Sequence, residues 1–264
     1  MAITLRGSLQ VVRLNAFDDN YIWLLREPAD GVVGVVDPGD AAPVLEALEA
    51  RGWTLTHIFV THHHGDHIGG LATLKARFPA AQVVAAAADV HRIAPIDRTA
   101  ADGDLIPFGG LSGRVIAVPG HTSGHIAYWF EAAAALFCGD ALFAQGCGRL
   151  FEGSAAQMWD SLQKLRALPD DTTIYCAHEY TAGNARFAAA LMPDDPALAA
   201  RTAEVADLRA RDLPTVPTRL GDERRLNPFL RADDAAIAAA LGLTGVDPAE
   251  VFAEIRRRKD VFRG

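Results

Sequence analysis

The 264-residue chain is short of cysteine, has no long apolar run and carries no excess of positive charge, and each shortage removes a class of function. Its three cysteines, Cys138, Cys147 and Cys176, are an odd number, which points away from a disulfide scaffold and toward a reduced, cytoplasmic setting. Cys138 and Cys176 end apolar runs and read as buried small hydrophobes rather than ligands or nucleophiles. The start Met1-Ala2-Ile3-Thr4-Leu5-Arg6 lacks the charged-then-apolar layout of a signal peptide. No apolar stretch approaches the roughly 20 residues that span a bilayer, so no membrane association is expected. A net charge of −8 and a pI near 5.5 argue against nucleic acid as a partner, because such a partner selects for a basic face.

Half of the residues are hydrophobic, enough to bury a full core as one large domain or two smaller ones. Short β-rich runs alternate with helical segments up to about Tyr175, which gives an α/β reading. Into this texture is set Thr61-His62-His63-His64-Gly65-Asp66-His67, an H-x-H-x-D-H pattern. It follows the β-branched, apolar run Ile58-Phe59-Val60 and precedes a helix-like stretch from Leu71 to Phe78, so it sits on a loop at the carboxyl end of a strand. Side chains alternate along extended backbone, so His62 and His64 can converge on one ion while His63 points elsewhere. Asp66 and His67 suit a second ion. Imidazole with carboxylate favours zinc or another borderline divalent ion over calcium or magnesium. His57 and His63 read as structural or exposed.

Two ions need more ligands than one loop supplies. Three candidates each follow an apolar run: His121 in Gly120-His121-Thr122, Asp140 in Cys138-Gly139-Asp140, and His178 in Cys176-Ala177-His178. A lone polar residue after a strand is usually a cap or turn residue, but three in order behind the histidine motif form a set. His125, four residues after His121, reads as a supporting or exposed side chain.

These residues, with the turn Val36-Asp37-Pro38-Gly39, resemble the metallo-β-lactamase superfamily. Further strings narrow the resemblance to the glyoxalase II (hydroxyacylglutathione hydrolase) family in its bacterial form. They are Asp19 to Trp23, Gly146 to Gly153, His178-Glu179-Tyr180, Asn227 to Arg231, and Arg256 to Asp260. The resemblance implies an αββα sandwich followed by a small helical C-terminal domain, divided as residues 1–178 and 179–264. It implies two divalent metal ions, zinc with iron or manganese as alternatives. His62, His64 and His121 would hold one, Asp66, His67 and His178 the other, and Asp140 would bridge them. It further implies that Arg149, Phe151, Tyr180, Arg256 and Lys259 bind glutathione. Some relatives carry tyrosine at the position of Phe151 and lysine at that of Arg149, so a hydrogen bond to the peptide is in question there.

After His178 the chain reads as helical over 184–191, 196–211, 233–241 and 248–262, with Pro214 and Pro217 as breaks. Ser154 with Gln157 forms a capping-box signature, Asp195-Pro196 and Asp247-Pro248 pair a cap with a first-turn proline, and Glu250 completes a box-like start. On the last helix Arg256 and Lys259 lie three apart and project together, which suits a carboxylate. The same residues also fit a solvated basic face near a helix C-terminus.

The activity implied is hydrolysis of S-D-lactoylglutathione to D-lactate and glutathione by a metal-bridging hydroxide that Asp66 orients, in a monomeric, cytoplasmic enzyme of methylglyoxal detoxification. A thiol of pKa about 8.5 departs without an acid, which suits a site lacking an evident proton donor. Two alternatives remain open from sequence: a mononuclear iron glutathione-persulfide dioxygenase, for which two histidines and one carboxylate suffice, and a non-catalytic metal- or glutathione-binding module.

Overall fold

Apolar, β-branched segments from Ile3 to Ala100 pair into one sheet whose order follows the chain: Ile3–Arg6, Leu9–Ala16, Asn20–Glu27, Val32–Val36, His57–Phe59, Gln82–Ala86 and Arg98–Ala100. The computed structural model describes residues 3–6 and 9–264. Met1 and Ala2, on which the reading of the chain's start partly rests, lie outside them. The early strands are antiparallel, and from Val32–Val36 onward the pairing turns parallel, Gly34 opposite His57 and His57 opposite Gln82. Parallel neighbours need a crossover, and the helices Ala42–Glu49 and Leu71–Arg77 supply it. The described residues form two compact units, one of residues up to Ala117 with Gly124–Gly139, the other of Val118–Ser123 with Asp140–Gly264.

In the first unit a second, antiparallel set of strands comprises Leu105–Phe108, Leu111–Ala117, Ile126–Phe130 and Ala135–Gly139. The two-residue period of the strand at His57–Phe59 serves both sides of its sheet. Ile58 and Val60 enter a buried cluster with Val44, Leu48, Leu71 and Leu74 of the crossover helices. Phe59 faces the other way and meets Phe108, Tyr128 and Phe130 of the second set edge-on, at centroid separations of 5.8, 5.1 and 6.1 Å. The fully buried Tyr128 hydroxyl reaches the carbonyls of Val60 at 2.9 Å and Val84 at 3.0 Å. That contact pins the strand end from which the histidine loop departs.

The second unit holds the hairpin Leu142–Phe143 with Gly146–Cys147, the antiparallel pair Thr173–Cys176 with Thr218–Arg219, and helices. The helix Ala155–Arg166 opens on the expected capping box: Ser154 Oγ accepts from Gln157 N at 3.2 Å and Gln157 Oε1 from Ser154 N at 2.9 Å. Thr181–Leu191, Pro196–Ala210, Ala235–Leu241 and Pro248–Val261 occupy the segments that sequence marks as helical. Asp195 and Asp247 cap two of them as expected, though Asp247 does so through a side-chain bond from Ala249 N rather than a box with Glu250. Three elements are additional, the short strand Thr218–Arg219, the helix Leu220–Leu226 and the 3-10 turn Pro228–Leu230. Phe229 joins the helix Thr181–Leu191 to the last helix: it stacks on Phe187 at 6.0 Å and meets Phe252 of the last helix edge-on at 5.9 Å. Among the described residues no helix is long and apolar enough to cross a membrane.

Candidate metal centre

In the first unit the strand His57–Phe59 releases the chain into the loop that begins at Thr61, and Asp66 and His67 fall in the one-turn helix Gly65–Ile68. The turn at Asp37 receives this loop closely. Gly39 has no side chain because a Cβ there would lie 1.8 Å from the Asp66 carbonyl oxygen. Asp37, strained at φ 49°, accepts from Thr61 N at 2.8 Å and from Thr61 Oγ1 at 2.7 Å. Because the Thr61 hydroxyl donates to Asp37, its oxygen is left to accept from His62 Nδ1 at 3.1 Å. That chain of donors puts the proton of His62 on Nδ1, so in the neutral ring Nε2 is the acceptor nitrogen. His67 follows the same logic, with Nδ1 held by Asp37 Oδ2 at 3.1 Å and Nε2 facing Asp66 Oδ2 at 3.4 Å.

His62 Nε2 lies 3.1 Å from His64 Nδ1, so the two imidazoles aim nitrogens at one point, while His63 turns away to Asp89 at 3.5 Å. Asp66 is steadied by Asn20, whose Nδ2 donates to Asp66 Oδ2 at 2.9 Å. His125 stacks on His62 at 4.6 Å and is 1 % exposed, which makes it a buried supporting ring. His57 is held down in pKa by burial and by Arg98, and packs against Phe59 and Phe108, in keeping with a structural role. Asp37, His62 and His67 present ligand atoms within 4.8 Å of one another, but the bonds above show Asp37 orienting the rings from behind.

In the second unit Asp140 lies between two imidazoles and offers a different oxygen to each: Oδ2 to His121 Nε2 at 3.4 Å and Oδ1 to His178 Nε2 at 3.3 Å. His121 Nδ1 donates to the Arg149 carbonyl at 2.8 Å, and a carbonyl can only accept, so in the neutral ring Nε2 is the acceptor nitrogen. Gly148 is required beside them, since a Cβ there would lie 2.0 Å from the Asp140 carbonyl oxygen and 3.0 Å from His121 Nδ1. His178 stacks flat on Tyr180 at 4.6 Å.

These spacings test whether a metal fits. Ligand atoms about 2.0–2.1 Å from a tetrahedral ion stand roughly 3.3–3.4 Å apart. The pairs His67–Asp66, His121–Asp140 and His178–Asp140, at 3.4, 3.4 and 3.3 Å, match that edge, and His62–His64 at 3.1 Å is only slightly tighter. Each of His62, His67 and His121 also has its second ring nitrogen engaged from behind, the arrangement that metal-binding imidazoles require.

The residues expected to bind glutathione do not behave alike. Arg149 is exposed, Phe151 is 62 % exposed with its ring edge on His121, and Tyr180 is 40 % exposed over His178. Lys259 is half-buried, donating to the Gly183 carbonyl at 3.0 Å, and burial together with Arg256, Arg186 and Arg149 lowers its pKa to about 8. Arg256 is 5 % exposed: its guanidinium donates to the Cys147 carbonyl at 3.1 Å, pairs with Asp260 at 2.7 Å, and lies 5.0 Å over Phe229. All three cysteines are buried, and burial pushes Cys147 to about 11 and Cys176 to about 12, which fits inert small hydrophobes. Asn20 and Asp37 were not assigned roles by sequence. Their signal was present in the strings that carry the resemblance, but not their contacts.

Residues 16–178 match the family model of the metallo-beta-lactamase superfamily, and residues 179–262 match that of the hydroxyacylglutathione hydrolase C-terminus. A hydroxyacylglutathione hydrolase of Methylococcus capsulatus is 57% identical, over 97% of this chain and 100% of its own length. One from Rhodospirillum rubrum is 54% identical with the same coverage. Among solved structures, ETHE1 from Myxococcus xanthus superposes with a TM-score of 0.66 at 26% identity, over 100% of this chain and 93% of that one. The mixed sheets and helices are thus the metallo-β-lactamase fold, followed by a helical C-terminal region. With both parts matched in order and relatives more than half identical along almost the whole chain, the protein belongs to the hydroxyacylglutathione hydrolase family of the metallo-β-lactamase superfamily.

Proposed function

We propose that the chain is a metal-dependent thioester hydrolase that converts S-D-lactoylglutathione to D-lactate and glutathione. The observation that carries this reading is the two-sided carboxylate of Asp140, one oxygen toward His121 and the other toward His178, in a chain more than half identical to hydroxyacylglutathione hydrolases. A carboxylate so flanked suits a bridge between two ions. His62, His64 and His121 would hold one, and Asp66, His67 and His178 the other, with zinc, iron or manganese as the metal. When bound, such a pair lowers the pKa of water to roughly 7, supplying hydroxide at neutral pH, and polarises the thioester carbonyl.

The chain's own residues do the rest. Asn20 and Asp37 hold Asp66 and His67 in place, so that the Asp66 carboxylate can accept a hydrogen bond from the attacking hydroxide and aim it. Arg149, Tyr180 and Lys259 offer donors to the peptide half of the substrate, and Phe151 an apolar face. Arg256 supports them by holding the Cys147 carbonyl, two residues before Arg149. The leaving thiolate needs no acid. In this reading residues 1–178 carry the chemistry and 179–264 the peptide site, in a monomer acting in the cytoplasm on a small-molecule thioester.

The test is the rate of S-D-lactoylglutathione cleavage by metal-loaded and chelator-stripped protein, beside a lactoyl thioester that lacks the peptide. Fast, metal-dependent cleavage of the glutathione thioester supports the reading. One iron per chain with oxygen-dependent turnover would replace it with the persulfide dioxygenase, and binding without turnover would replace it with a non-catalytic module.

A further inference from the structure

The second unit is rich in arginine, and most of its arginines are already neutralised. Arg201, Arg211, Arg224, Arg225 and Arg257 each hold a carboxylate at 2.5 to 3.0 Å. Arg186, on the exposed side of helix Thr181–Leu191, is different: among the described residues it makes no ion pair and no side-chain hydrogen bond. It also stands where a like charge is costly. A Cβ built on Gly183 would lie 3.8 Å from Lys259 Nζ and 3.9 Å from an Arg186 guanidinium nitrogen, so both cations border the same side-chain-free spot. Lys259 has no carboxylate within ion-pair distance either, and Arg256, which does, spends it on Asp260. Burial first, then Arg256, Arg186 and Arg149, lower the pKa of Lys259, so Arg186 lies near enough to oppose its charge.

Two uncompensated cations converging on a glycine in an otherwise acidic protein destabilise the fold unless an anion visits. A group placed at that spot stands within 4 Å of both nitrogens, so one carboxylate there can accept from both cations at once through charge-assisted hydrogen bonds. Gly183 keeps it open. The helix conformation there does not call for glycine, because its φ is not in the left-handed region and an alanine would meet only ordinary van der Waals contacts.

We propose that Arg186 is a specificity-determining residue, which with Lys259 forms a two-cation cradle over Gly183 for one carboxylate of the substrate's peptide half. This rests on the thioesterase reading above, and selects dicarboxylate peptide thioesters over thioesters of neutral thiols.

The experiment compares wild type, Arg186→Gln, Arg186→Lys and Gly183→Ala. Steady-state kinetics use S-D-lactoylglutathione and a lactoyl thioester of an uncharged thiol, and calorimetric titration uses S-methylglutathione. Arg186 is exposed, so its variants fold. Arg186→Gln is expected to raise KM for the glutathione thioester roughly 3- to 10-fold with kcat within about 2-fold, and to weaken S-methylglutathione by a similar factor. Arg186→Lys restores most of the loss, and the neutral thioester is unaffected. Gly183→Ala raises Tm, because alanine suits a helix better, yet raises KM by filling the cradle. Unchanged KM and titration in Arg186→Gln, with wild type cleaving and binding normally, overturns the cradle alone. Equal losses on both thioesters reduce Arg186 to a structural role. A wild type that neither cleaves the glutathione thioester nor binds S-methylglutathione removes the thioesterase reading and the cradle with it.

Discussion

Lys259 sits where burial and three arginines oppose its charge, and its pKa of about 8 places the loss of that charge close to the working range. Below pH 8 the ammonium is present and can hold a carboxylate; above it the cradle loses one of its cations. KM for the glutathione thioester should therefore climb as pH rises past 8, while Lys259→Arg, which stays charged, should hold KM level to higher pH. The stability consequence has the opposite sense. Between about 8 and 10.5 the unfolded chain keeps a proton that the folded chain has released, so this group makes stability increase with pH across that window. At pH 7 it is a net cost to the fold, and Lys259→Gln should melt higher than wild type at pH 7, the difference closing toward pH 10.5. Thermal melts of both proteins across pH check this, and a variant that melts lower at pH 7 contradicts it. A residue retained against stability is the expected signature of a binding role.

At the scale of elements, the last helix reaches the hairpin that precedes Arg149 through one side chain. Arg256 joins Pro248–Val261 to the Cys147 carbonyl, and Arg149 two residues on supplies the carbonyl that fixes the His121 tautomer. Arg256→Met keeps the stem over Phe229 and removes the donors. It should cost about 1–3 kcal/mol of stability and lower kcat/KM for the glutathione and peptide-free thioesters alike, since the hairpin serves the metal ligands as well as the peptide. A rise in KM confined to the glutathione thioester would instead mean that Arg256 meets the substrate directly. Sequence places Arg256 beside Lys259 by helical spacing and gives them glutathione by resemblance, and spacing does not reveal that the guanidinium also pairs with Asp260, one turn on. Elements with strong local signals were legible: the capping box at Ser154, the Asp-Pro starts, and the strand His57–Phe59 ahead of the histidine motif. The helix Leu220–Leu226 was not, because polar tertiary bonds hold it rather than an apolar stripe. Its buried Glu223 accepts from Gln145 N, Thr218 Oγ1 and Asn227 Nδ2 at 2.7, 2.7 and 3.1 Å. Asn20 and Asp37 were equally hidden, lying 46 and 24 residues from the partners they orient.

For the whole molecule, the imidazoles and carboxylates gathered for metal are a liability without it. His62 and His64 face nitrogen to nitrogen at 3.1 Å, a contact that one neutral ring can satisfy by donating to the other, whereas Asp140 stands within 3.4 Å of His121, whose ring already donates its Nδ1 proton to the Arg149 carbonyl, so a buried carboxylate faces the acceptor nitrogen of that neutral ring. A metal that binds the folded chain and not the unfolded one removes that cost and adds its own binding free energy, about 2.7 kcal/mol at a hundredfold excess over Kd for each site. In a chain of 264 residues each kcal/mol is worth roughly 2–4 °C, so if two ions bind as proposed, stripping them should lower the apparent Tm by about 10 °C or more, and adding zinc back should restore it. The Asp140→Ala variant separates metal from mere packing, because it should melt low with or without chelator and respond weakly to added zinc. If the stripped wild type melts where the loaded protein does, these ligands are organised without metal, and the histidine loop owes its shape to Asp37 and the strand behind it alone.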